Sequence, residues 1–101
     1  MKELEIGLTG AAETVVDATN TAEAMGSGLL PVFATPAMLA LMEKAAADSV
    51  QPYLDEGESS VGTHLDVCHL AATPVGVPVR AESVLIAAEG LWFFTGGVLI
   101  H

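Results

Sequence analysis

Cationic side chains are scarce in this sequence: Lys2, Lys44 and Arg80 stand against thirteen Asp and Glu, for a formal net charge of −10. Three cations make no basic patch able to neutralise a nucleic acid backbone or an anionic membrane surface, so neither is expected as a partner. Cysteine is nearly absent. Cys68 alone cannot form an internal disulfide, which fits a reducing compartment, and packing is its expected role. No apolar run approaches the ~20 residues that span a bilayer. The opening Met-Lys-Glu-Leu-Glu lacks the basic-then-apolar order of a secretion signal, and a cytoplasmic protein is expected. There is no glycine-rich phosphate loop, nucleophile elbow or paired-cysteine zinc spacing either.

What remains is apolar. Hydrophobic residues make up 51% of the 101 positions and charged residues 16%, which excludes a disordered acidic tail and indicates a globular chain. With no repeat and no linker, residues 1–101 read as one domain.

Leu4, Ile6 and Leu8 alternate with polar or small residues, and Thr14-Val15-Val16 follows, so a first strand interrupted near Gly10 is expected. Residues 17–31 are small and turn-prone and predict a loop with at most a short helix. Thr35-Pro36 supplies a helix start, Thr35 as cap and Pro36 as first helical residue. Ala, Leu, Met, Glu and Lys carry that helix to about residue 50 or 51, where Pro52 and the Asp55-Glu56-Gly57 turn stop it. Residues 59–71 alternate, with Val61, Thr63, Leu65, Val67, His69 and Ala71 on one face, which predicts a strand with an apolar inner side. A strand over 77–88 and a tight connection at Glu89-Gly90 follow. Gly96-Gly97 then allows either a turn between two short strands or one strand at an unprotected sheet edge. One long helix among antiparallel strands gives an α+β fold, the sheet wrapped around the helix.

Three polar residues stand out as candidate chemistry. Glu43 has Leu39, Ala40, Ala46, Ala47 and Val50 as its helical neighbours, whereas Lys44, Asp48 and Gln51 mark the solvated side, so Glu43 is expected to face inward or toward an interface. A carboxylate in apolar surroundings must find a donor or a raised pKa; the bland reading is a boundary glutamate in a salt bridge. His69 shares a face with Val61, Leu65 and Val67 and can approach Glu43, although a histidine there also suits a satisfied core position. Thr35 at a helix N-terminus lies where free amides stabilise an oxyanion, and capping alone would also explain it. His64, Asp66 and Cys68 share the opposite strand face, but residues four apart on a strand are roughly 13 Å apart, so no metal site is expected.

The segment Pro31-Val-Phe-Ala-Thr-Pro-Ala-Met-Leu-Ala-Leu-Met-Glu43, followed by Val61-Gly-Thr-His-Leu-Asp-Val-Cys-His-Leu-Ala-Ala-Thr-Pro-Val-Gly76, resembles the fluoroacetyl-CoA thioesterase-like family. Order and spacing match as well as residue type, with Thr35 eight positions before Glu43 and Gly62 seven before His69. The resemblance implies a hotdog fold with one central helix and hydrolysis of a short-chain acyl-CoA or related thioester. It implies Thr35, Glu43 and His69 as catalytic residues, with Gly62 and Phe33 binding substrate. Coenzyme A would enter only as part of the substrate, with no separate cofactor, and the site would lie at the interface of a homodimer, or of a dimer of dimers. Two features depart from the family. Gly28-Leu29-Leu30 stands where the fluoroacetate-specific enzyme has phenylalanines closing over its substrate, and the C-terminal strands are shortened. The departures point away from fluoroacetyl-CoA itself as substrate, and the shortened sheet leaves a non-catalytic acyl or CoA-binding protein as the alternative.

Overall fold

The computed structural model describes residues 2–100. In it a three-stranded antiparallel sheet packs one face against one long helix. The strands are β1 (Thr9–Val15), β2 (Pro78–Glu89) and β3 (Leu91–Ile100), in the order β1-β2-β3. The helices are α1 (Ala22–Met25) and α2 (Thr35–Val50), and a 3-10 turn over Gln51–Tyr53 follows α2. The α+β arrangement expected from the sequence is the one observed.

β2 is the central strand and alternates accordingly. Val79, Ala81, Ser83 and Leu85 are buried against the helix, while Arg80 and Glu82 lie on the other face, where Arg80 pairs with Glu13 and Glu82. The core gathers Val79 and Ala81 with Ala12 and Val16 from the β1 side and Met38, Leu41 and Ala45 from α2. A left-handed glycine, Gly90 at φ 80°, turns β2 into β3.

Three expectations are corrected and one open choice is resolved. The first strand begins at Thr9, after a turn at Ile6-Gly7, and Gly10 lies inside it instead of interrupting it. A Cβ at Gly10 would meet the Ala45 carbonyl, the Ser49 Cβ and the Ser83 Oγ, so glycine is what lets β1 approach α2 this closely. The helix cap is Ala34, with Thr35 as the first helical residue and no side-chain cap bond. Residues 59–71 form no strand: among the described residues, no backbone hydrogen bond involves residues 59–72. Their alternating pattern does not make an inner core face either, since Val61 is 85% and Leu65 45% exposed. The C-terminal stretch is one continuous strand through Gly96-Gly97 and forms the free edge of the sheet.

Candidate active site

Two pairs of residues form the candidate site. Thr35 Oγ1 and His69 Nδ1 lie 2.7 Å apart in a side-chain hydrogen bond. The Thr35 hydroxyl is thus turned away from the capping role that its position suggests and toward the imidazole. The second pair is Glu43 and Gly62: a Cβ on Gly62 would run into the Glu43 carboxylate oxygen, so the glycine backbone lies against that carboxylate. Among the described residues no hydrogen bond joins the two pairs.

Each side chain is placed by a nameable feature. The turn into α2 is held by backbone bonds from the Ala34 amide to the Asn20 carbonyl and from the Phe33 amide to the Thr73 carbonyl. The Asn20 side chain in turn bonds the Val15 carbonyl and the Asp17 amide. Asp17 also accepts from the Thr19 hydroxyl and amide, which hold its carboxyl below the usual range. The Thr73 carbonyl and the Val32–Pro74 bridge anchor the far end of the 59–72 segment, which brings His69 to Thr35. Sequence reading passed over Asn20 and Thr73 as positioning residues. Thr73-Pro74 did carry a usable signal, because a residue before proline is held extended.

Glu43 sits on the flank of α2, half-buried, while the core face belongs to Met38, Leu41, Ala45, Ser49 and Val50. It is thus not turned inward into the core, and its carboxylate lies against Gly62. His69 is half-buried and Thr35 exposed. Phe33 is 2% exposed and taken up in the core beneath the turn, apart from the groove that Glu43 and Gly62 help to line.

That groove, of about 860 Å³, runs between the flank of α2, residues 60–67 and the first half of β3. Met42, Ala46, Ala47 and Val50 give it an apolar side, with Trp92 and Phe94 from β3. At the start of α2, Pro36 contributes no N–H, and the Thr35 and Ala37 amides have no backbone acceptor among the described residues, so two donors remain near the Thr35–His69 pair. Lys44 is bridged to Asp48 at 2.9 Å, and the Glu13 hydrogen bond, then Glu82, hold the Arg80 guanidinium above its usual range, so two of the three cations are already paired. No group of three or more His, Cys, Asp and Glu able to hold a metal forms among the described residues, and no helix is long and apolar enough to cross a membrane.

A hydroxyl bonded to an imidazole beside free helix-end amides, with a carboxylate about two turns farther along α2, is a set of parts that acyl transfer uses. The sequence profile of a family described as fluoroacetyl-CoA-specific thioesterase matches residues 16–95. A curated relative, the fluoroacetyl-CoA thioesterase of Streptantibioticus cattleyicolor, is 48% identical over 59 residues, 58% of this chain and 42% of the relative, so the match spans less than half of that protein's length. Among solved structures, a variant of the fluoroacetyl-CoA-specific thioesterase FlK in complex with fluoroacetate and CoA superposes with a TM-score of 0.83 at 30% identity, over 94% of this chain and 90% of that one. A thioesterase superfamily member of Thermus thermophilus superposes with a TM-score of 0.79 at 28% identity, over 99% of this chain and 87% of that one. The sheet-on-helix arrangement is thus that of the hotdog thioesterase superfamily.

Proposed function

Since the chain belongs to the fluoroacetyl-CoA-specific thioesterase family, we propose that it hydrolyses a short-chain acyl-CoA or related thioester to the free acid and the thiol. The observation that carries this reading is the 2.7 Å bond between Thr35 Oγ1 and His69 Nδ1, which couples a hydroxyl to a base at a helix N-terminus. An oxygen nucleophile, the Thr35 hydroxyl or a water that it positions, attacks the thioester carbonyl carbon as His69 takes its proton. The free amides at the start of α2 receive the developing oxyanion. The C–S bond then breaks and the proton passes to the departing thiolate. With water as nucleophile this frees the acid at once; with Thr35 as nucleophile, a water deprotonated by His69 next cleaves the acyl-threonine ester, returning the proton to the Thr35 oxygen and releasing the acid. Glu43, set against Gly62, orients the attacking group, and Phe33 supports the turn from below. The leucines at 29 and 30, 91% and 63% exposed, argue for an acyl group other than fluoroacetyl.

The same openness supports a site completed by a second copy. Thr35 is exposed and Leu70, next to His69, is 91% exposed, whereas acyl transfer gains from a site shielded from water. A homodimer covering this face supplies the shield, with the substrate held between subunits. The single cysteine agrees with a cytoplasmic setting. Turnover of a panel of acyl-CoA thioesters by the parent protein and by Glu43→Gln tests the reading. Hydrolysis by the parent, reduced roughly 10²-fold or more in the variant, is expected. A parent that binds the thioesters without hydrolysing them would replace the enzyme by an acyl-CoA-binding protein.

A further inference from the structure

Thr35 and His69 stand 34 residues apart in the chain, and one bond between two side chains does not by itself fix where their segments lie. A closed circuit of hydrogen bonds does. From Ala34, beside Thr35, it runs through the Ala34 amide to the Asn20 carbonyl, then from the Asn20 side-chain Nδ2 to the Val15 carbonyl at 3.1 Å. Val16 comes next, its amide donating to the Val77 carbonyl and its carbonyl accepting from the Gly76 amide. Those two residues end the turn that begins at Thr73, a few residues after His69. The Thr73 carbonyl accepts from the Phe33 amide and so returns the circuit to Ala34. Val16, Phe33, Ala34 and Thr73 are all buried. Every hydrogen bond of the circuit but one joins backbone to backbone. We propose that the exception, the Asn20 carboxamide, makes Asn20 a positioning residue for thioester hydrolysis, holding the start of α2 against the His69 segment so that Thr35 and His69 stay in bonding distance.

The partners require an amide side chain. Asn20 Oδ1 accepts from the Asp17 amide at 2.9 Å while Nδ2 donates to the Val15 carbonyl, so one side chain serves a donor and an acceptor on opposite sides. An aspartate would keep the first bond and set two acceptors against each other in the second; an alanine would lose both. The competing role is purely local, a residue that shapes the 17–20 turn, and that role needs the Asp17 bond alone. Val15 is 48% exposed, so its carbonyl, once released, bonds water, and losing the link loosens placement more than it unfolds the chain. The proposal rests on the hydrolysis reading above, in which the oxygen–imidazole distance matters to the chemical step and not to substrate binding. The loss therefore falls on kcat, with KM little changed.

Two readouts on Asn20→Ala and Asn20→Asp test this. On the best thioester of the panel, both variants are expected to lose about tenfold or more in kcat with KM within about threefold of the parent. The nitrogen chemical shifts of the His69 ring, read by NMR without substrate, are expected to report a hydrogen-bonded Nδ1 in the parent and to move toward those of a free imidazole in both variants. Parental kcat in Asn20→Asp, with a loss in Asn20→Ala only, would assign Asn20 to the turn and overturn the proposal. So would a rise in KM at unchanged kcat, or a His69 ring signal that neither variant moves. A parent without turnover would sink the hydrolysis reading and leave the ring signal to decide the role of Asn20. Should Asn20→Ala unfold, Asn20→Asp decides, together with the parent itself, whose Asn20 side-chain protons are expected to exchange about tenfold or more slowly than those of a free carboxamide. Exchange at the free rate would overturn the proposal.

Discussion

Thr35 shows how a single hydroxyl separates two readings of the same residue. At the start of a helix it has a ready structural use, yet the cap position is taken by Ala34 and the hydroxyl is bonded to His69. His69→Ala is expected to lower turnover by roughly 10²–10⁴-fold, measured as kcat on the best thioester, with the melting temperature little changed. Gly62 gives a sharper test. It is exposed, so Gly62→Ala is expected to change stability by no more than about 0.5 kcal/mol in chemical denaturation, while the new methyl group displaces the Glu43 carboxylate and costs about 10²-fold in kcat. Unchanged kcat in that variant would remove Glu43 from the mechanism. Ser83 shows what residue type cannot reveal. Its buried Oγ has no hydrogen-bond partner among the described residues, so Ser83→Ala is expected to stabilise the fold by about 1 kcal/mol, read from urea unfolding. Nothing in the alternation around position 83 announces an orphan hydroxyl. It follows from the approach of Gly10 and Ser49 across a helix–sheet contact that brings together residues distant in the chain.

Elements differ in how much of their structure is local. The composition and stop signals of α2 act within the helix, so its extent was legible to within a residue, and β2 with the Gly90 turn was equally so. Residues 59–71 were not. Alternation states which side chains share a face, but a strand also needs a partner backbone, and that partner is a property of the rest of the fold. The candidates on this segment, Gly62 and His69, come from the family resemblance, and the structure sets Gly62 against Glu43 and His69 against Thr35. Hydrogen exchange is expected to separate the two kinds of element: amides of β2 slow, those of residues 59–72 in the ligand-free protein near the rate of an open chain. Within β2, Leu85→Ala is expected to cost 2–5 kcal/mol, roughly the range for fully buried leucines, because its side chain is wholly enclosed.

On the scale of the whole molecule, the exposed leucines at 29, 30 and 70 and the open Thr35–His69 pair set the expectation of a dimer. Sedimentation at micromolar concentration checks it, and a monomer that retains full thioesterase activity would overturn the shared-site reading. The sheet itself has a further consequence. β1 finds its partner far along the chain, with Thr9 opposite Val84 and Val15 opposite Pro78. A chain emerging from the ribosome therefore exposes its first strand and the apolar side of α2 long before β2 is available to close the sheet over them. Pairing over such sequence distances is slow, and the waiting strand is open to wrong partners. Closure of the sheet accordingly waits on β2, and a nascent chain stalled before residue 78 is expected to be held by chaperones rather than to form any part of the sheet.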